Sequence, residues 1–478
     1  MNVGRLFQWT IIDKVGGGVI LFACMALLAR FVSPEDFGMV GALALFISLG
    51  NLLVDCGLGG FLVKKKDVTN VDYGTLFVYN GVCSVILYGV LWLIAPLVNW
   101  FFRNDGLGDV LKVLSLSIVL NAFSIVQYVK LLKNLEMKKI SIVSITSCSL
   151  ASVCAVVLAM RNWGVWACVS FFVLQAFFRS AGFYLAERSL SALCFDWKSF
   201  KQQFSFGGYL VGANILNVTS GHLTTFAIGR VFPISVLGYY YQAHRLYSTG
   251  NDLLTAVIDR VAFPVLCKAD EKNMTQKSHS IFKPIFTLIY PAVAVSIVIV
   301  LDFIILFFGE QWRPVGLYCA ILLLALFPGL IRIMLRNILK SSGETKMILI
   351  AEIATVIVTL ILVGAALCFS VLFLVSSMVA SMVFSMLFYA WISHAKKMIT
   401  PGDIIRLIAI PACAAVLAAS AGGAVLLLCG TLPALIRIVC AGIAGFSVAL
   451  IFYICVRDEF CLYWIRWCKK RLKSGKHA

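Results

Sequence analysis

Tyr241, Arg245, Ser248, Asp252, Thr255 and Asp259 recur at steps of four and three residues inside one long, otherwise apolar stretch. Steps of this kind return to the same side of a helix, so the six polar groups share a face while Leu246, Leu253, Val257 and Ile258 fall elsewhere around it. A charge in hydrocarbon costs at least ~2.5 kcal/mol, so an arginine and two aspartates kept there serve something polar that crosses. The guanidinium suits a phosphate, which its planar fork can grip with two charge-assisted hydrogen bonds. The carboxylates would tune that charge or form a gate. A helix lying on the membrane surface has the same periodicity; flanking spans and loop charges favour a crossing.

The stretch before it puts Asn214, Asn217, Gly221 and Thr224 on one face, with His222 to the side. Cavity lining and interhelical hydrogen bonding explain the two asparagines equally well, and His222 reads as a structural hydrogen-bonder. Asp13, Asp55, Arg179, Asp302, Arg332 and Glu352 are further charges in or at the border of apolar runs. Asp55 and Glu352 are candidates for ion coupling or gating. For Asp55 a helix cap, or an interfacial pair with Lys64 to Lys66, is the plainer account.

Helices of membrane length have to position these groups. Of 478 residues, 61% are hydrophobic and 13% charged, where a soluble chain has ~25% charged; the mean hydropathy is +0.96. Apolar runs of about 20 residues lie near 14–32, 37–60, 76–98, 110–131, 140–160, 164–187, 206–229, 235–261, 284–308, 314–335, 347–368, 371–392, 404–428 and 433–456. The expectation is an all-α polytopic membrane protein with about 14 transmembrane helices. Basic residues crowd alternate loops (Lys64 to Lys66; Lys130, Lys133, Lys138 and Lys139; Lys396 and Lys397) and the tail from Arg466 to Lys476, while the other loops hold single arginines such as Arg103 and Arg161. The positive-inside rule then places both termini in the cytoplasm, and the first apolar run reads as a signal anchor.

Several classes of function fall away. The net charge of +18 is spread over loops and tail, which suits anionic lipid headgroups and not a nucleic acid. The sixteen cysteines lie mostly in apolar segments without a C-x-x-C, so neither a disulfide framework nor a zinc site is indicated. No cofactor or metal is expected. There is no G-x-x-x-x-G-K-[ST] for nucleotide binding, and no outer loop long enough for a catalytic domain. Gly16, Gly17 and Gly18 read as close packing or a hinge.

An internal repeat organises the spans. Arg30-Phe-Val-Ser-Pro-Glu-Asp-Phe-Gly38 is echoed by Arg230-Val-Phe-Pro-Ile-Ser-Val-Leu-Gly238, and Asp55 with Lys65-Lys66-Asp67 by Asp259 with Lys268-Ala269-Asp270. Same-orientation copies indicate two parallel-repeat six-helix lobes plus two C-terminal helices. The corresponding domains are 1–190, 191–400, and 401–478 with its basic tail.

LARFVSPEDFGMVGALALFISLGNLLVDCGLGGFLVKKKD, GYYYQAHRLYSTGNDLLTAVIDRVAFPVLCKADEKN and LFFGEQWRPVG resemble bacterial polysaccharide flippases of the Wzx type, WzxC-like branch, in the MOP superfamily. The resemblance covers roughly residues 1 to 345. It implies a V-shaped cavity between the lobes, cationic where it meets a diphosphate, that opens to each side in turn. The implied cargo is an undecaprenyl-diphosphate-linked oligosaccharide, moved from the cytoplasmic to the periplasmic leaflet of a bacterial inner membrane. Such a protein works with membrane lipids and polysaccharide polymerase machinery. A cation-coupled multidrug antiporter of the same superfamily and a polytopic glycosyltransferase stay open as alternatives.

Overall fold

The computed structural model describes residues 8–10, 12–188, 194–267, 274–430 and 432–457; the side chains of 205–211, 213, 216, 217, 260, 261, 263, 264 and 345 are outside that description. The basic tail, Arg5, Lys268, Lys272 and the Lys268-Ala269-Asp270 echo therefore lie outside the described residues. All regular structure within them is helical. A π-helical turn at Ile12–Gly16 leads into α1 (Gly17–Phe31), followed by α2 (Pro34–Asp55), α3 (Leu58–Lys64), α4 (Asn70–Phe102), α5 (Leu107–Lys133), α6 (Met137–Met160), α7 (Val165–Ala186), α8 (Trp197–Val231) and α9 (Ile234–Leu266). Then come α10 (Met274–Phe308), α11 (Arg313–Leu324), α12 (Leu326–Ser341), α13 (Thr345–Ala366), α14 (Val371–Ala395), α15 (Pro401–Leu428) and α16 (Ala434–Cys455).

Twelve stretches among the described residues are long and apolar enough to cross a membrane. α8 and α9, at 35 and 33 residues, are long enough but are not among the twelve. Both are diluted by the polar residues that mark them as candidate path helices. The fourteen segments read from the sequence coincide with these twelve stretches together with α8 and α9, and the chain is an all-α, multi-pass membrane protein.

Local sequence sets the helix ends. Ser33, Thr69 and Thr400 each accept from the backbone N–H three residues on, while Asp36, Asp72 and Asp403 reach back to the cap residue's own N–H. These capping boxes satisfy donors that would otherwise be orphaned. Between α2 and α3, Cys56 and Gly57 both take left-handed backbone angles, which breaks the helix in the way glycine permits.

The chain divides into two compact units, Met1–Gln242 and Ala243–Ala478. That boundary falls inside α9, because the start of α8 is tied into the first unit. Asp72 accepts from Lys65 Nζ at 2.8 Å and from Ser199 Oγ at 2.6 Å, and Gln203 donates to Ser199 Oγ and to the Asp72 carbonyl. The repeat itself makes a reciprocal contact in this unit. A Cβ on Gly38 would strike the Ile234 carbonyl, and one on Gly238 would strike the Pro34 carbonyl. Residues 200 positions apart exchange the same contact, so the turns that look alike in sequence cross each other glycine to glycine.

In the second unit, α15 packs on α10 and α16 through small residues, Ala414, Ala418 and Gly422 on one helix and Ala441, Gly445 and Ala449 on the other. Such spacing lets backbones approach closely where lipid supplies no hydrophobic drive. Pro291, inside α10, cannot donate to the carbonyl four residues back, that of Thr287. Tyr453 Oη on α16 donates to that carbonyl at 2.9 Å in a buried position. Tyr453→Phe should orphan it and cost about 1–2 kcal/mol, seen as a lower Tm of the purified protein. An unchanged Tm would mean that the freed carbonyl is met another way.

Candidate functional site

α9 is a single continuous helix, so its stripe persists over its length. At about 100° per residue, Tyr241, Arg245, Ser248, Asp252, Thr255 and Asp259 lie within about 40° of one azimuth. Tyr240, Tyr247, Ile258 and Ala262, roughly a quarter turn to one side, are buried. To the other side Leu253 and Val257 are 37% and 62% exposed. The sectors beside the stripe are mixed, with Gln242 and Thr249 on one side and His244 and Asn251 on the other; what favours a crossing over a helix lying on the membrane is that spans of membrane length precede and follow this one.

Within the stripe the groups are not equivalent. Ser248 Oγ donates to the Arg245 carbonyl at 3.1 Å and Thr255 Oγ1 to the Asn251 carbonyl at 2.8 Å. Their protons are spent on the helix, and their lone pairs are what they can offer a ligand. Asp259 accepts from Asn337 Nδ2 at 2.7 Å, across to α12, which makes it a packing contact as much as a lining group. Arg245 is half-buried and Asp252 exposed, about 10 Å apart along the axis, so the stripe offers a cation and then an anion.

The other sequence-derived candidates scatter. Tyr241 lies against Gly41, where a Cβ would meet its ring. On α8, Asn214 is half-buried and Thr224 buried, while the Asn217 side chain lies outside the described residues. Asp55 closes α2 in an exposed position, and of the three lysines, Lys64 to Lys66, offered as its partners, Lys65 pairs with Asp72. Among the described residues no three His, Cys, Asp or Glu side chains gather to hold a metal ion.

Glu352 has a partner that sequence reasoning missed. Arg332 Nη2 on α12 reaches both of its carboxylate oxygens at 2.8 Å, and Tyr389 Oη on α14 donates to Oε1 at 2.9 Å. The same α13–α14 seam continues with Thr355 on Ser385 at 3.0 Å and Thr359 paired with Ser381. Asp302 likewise pairs with Arg437 at 2.6 Å. Opposite charges in neighbouring apolar helices were visible in the sequence; their pairing needed the fold.

The protein-family model described as "Polysaccharide biosynthesis protein" matches residues 27–316. The lipopolysaccharide biosynthesis protein WzxC of Escherichia coli (strain K12) is 24% identical over 296 residues, 61% of this chain and 60% of that one. The succinoglycan biosynthesis transport protein ExoT of Rhizobium meliloti (strain 1021) is 26% identical over 265 residues, 55% of this chain and 53% of that one. The chain thus matches less than two thirds of these curated relatives' own length. Among solved structures, lipid II flippase MurJ in an inward closed conformation superposes with a TM-score of 0.74 at 15% identity, covering 95% of this chain and 99% of that one. An inward-facing multidrug resistance MATE family transporter of the MOP superfamily gives 0.61 at 14% identity, covering 82% and 95%. At such identities the likeness is one of fold, and it agrees with the superfamily that the sequence stretches resemble. The family model spans more than half of the sequence, and the chain belongs to the polysaccharide biosynthesis protein family.

Proposed function

We propose that this protein flips undecaprenyl-diphosphate-linked oligosaccharide repeat units from the cytoplasmic to the periplasmic leaflet of a bacterial inner membrane by alternating access, with both termini cytoplasmic. It acts as a transporter and not as an enzyme. The polar stripe of α9, set among helices of membrane length, carries the reading. Sugar hydroxyls forced unpaired into lipid cost several kcal/mol each on alkane-like scales, and a helix face that offers them partners removes that barrier. An inside-negative potential favours outward movement of an anionic head by ~2.3 kcal/mol per charge per 100 mV. Family membership and the MurJ-like fold support the same task.

In this mechanism Arg245 holds the diphosphate, with Asp252 and Asp259 setting its strength. Loss of a bidentate charge-assisted contact of ~1.5–3 kcal/mol should lower surface polysaccharide about tenfold or more in Arg245→Ala at normal protein level, with partial rescue by Arg245→Lys. Deleting the gene should strand lipid-linked repeat units on the cytoplasmic leaflet. Normal polymer in the deletion strain, without a paralogue, would overturn the function. Full activity of Arg245→Ala would remove that residue from it, and rescue by adding Asp252→Asn would make Arg245 a structural ion-pair partner.

A further inference from the structure

A cavity of about 310 Å³ lies within the first unit, between the π-turn with the start of α1, the first half of α6 and the end of α7. Its charged lining is Lys14 and Arg179 against Asp13; Ser144, Ser147 and Gln175 add hydrogen-bonding groups. Ser144 sits seven residues into α6, so the cavity reaches about 10 Å past the helix ends. Arg179 is held through its face, with its guanidinium carbon 5.8 Å from the Tyr128 ring centre and 5.6 Å from that of Phe183. Ring contacts of this kind leave N–H groups unspent, and the buried Nε has no hydrogen-bond partner. Gly17 and Gly18 form part of the wall, and a Cβ at either would meet nothing within 4 Å. Two cations against one carboxylate, an unspent guanidinium edge and a bare glycine wall form a receptor for a compact anion. The volume is at the small end of ligand pockets, and π-turns collect at functional sites.

We propose that this cavity binds the phosphate or diphosphate group of a lipid headgroup, at a site built from different residues than the α9 stripe. Arg179 supplies the fork, Lys14 a point charge at the mouth, and Ser144 and Gln175 donate to the remaining phosphate oxygens. The choice of a polyprenyl diphosphate over a bulk anionic lipid as the natural occupant rests on the flippase reading; the phosphate site does not.

The full chain, purified in uncharged detergent, is titrated with farnesyl diphosphate, with dioleoylphosphatidylglycerol and with farnesol while its thermal unfolding is followed. Farnesyl diphosphate should give a saturable rise in Tm and farnesol none, and half-saturation should rise at least tenfold in Arg179→Gln and in Gly18→Leu. Gly18→Leu fills the cavity while leaving every charge and meeting open space, so it carries the test should Arg179→Gln fail to fold. An equal, equally sensitive response to phosphatidylglycerol supports the site and assigns it to bulk lipid. No shift with either phosphate probe, or the same half-saturation in wild type and Gly18→Leu, overturns it. Because the readout is binding, a positive result stands even where gene deletion leaves surface polysaccharide normal, and a negative one leaves the flippase proposal intact.

Discussion

Gly38→Val should leave almost no folded protein in the membrane, and Gly238→Val should do the same. At each position the first carbon of a side chain lands on a helix carbonyl, of Ile234 in one case and Pro34 in the other. A flexible neighbour could swing aside, but a helix carbonyl moves only if its helix does. Overpacked interiors lose about 1–3 kcal/mol even where neighbours can give, so a clash with backbone should exceed ~3 kcal/mol. Detergent-extracted protein is assayed by size exclusion and Tm, with Gly60→Ala as control, because a Cβ there meets nothing within 4 Å. A monodisperse Gly38→Val protein with wild-type Tm would show that the two turns do not cross as described.

Arg332→Met should lower Tm by roughly 5 °C, because this part-buried ion pair would keep one partner, at a cost below the ~3–5 kcal/mol of a fully buried pair. The Glu352 carboxylate would retain Tyr389 alone among its hydrogen-bond donors. Removing both charges, as Arg332→Met with Glu352→Leu, should recover most of that loss, since a well-packed apolar replacement is often neutral or better. A double mutant as unstable as the single would refute the pairing. A double mutant that is stable yet exports no polysaccharide would move the triad from architecture to transport.

Much of this fold was legible in the sequence, for a reason the membrane supplies. Every spanning helix must satisfy its backbone internally and show apolar side chains outward, so each apolar run read as a span has a helix. The α9 stripe was legible because periodicity within one helix needs no tertiary knowledge. What stayed hidden involves two helices at once. Glu352 is held by Arg332 and Tyr389, twenty and thirty-seven positions away, and Asp259 meets Asn337 seventy-eight positions on. Sequence spacing carries no record of which helices become neighbours. The same gap explains Asp55, whose nearby lysines suggested a pair while Lys65 turned to Asp72. The Arg30 and Arg230 turns were recognised as copies, but their contact with each other was not foreseeable from likeness alone.

The seam between α13 and α14 combines a firm bond with yielding ones. The Glu352 end is clamped by a guanidinium and a phenol, and the opposite ends are joined by the short turn after Ala366. Between these fixtures each threonine hydroxyl also reaches a carbonyl of its own helix, Thr355 that of Ala351 and Thr359 that of Thr355. Parting the two central rungs therefore leaves both threonines bonded within their own helix and frees only the Ser385 and Ser381 hydroxyls, at about 0.6 kcal/mol for each rung. A frame fixed at both ends and compliant at mid-span can bow but cannot splay. Any widening of this helix pair is therefore confined to the stretch between Glu352 and Ala366, at the depth of Thr355 and Thr359.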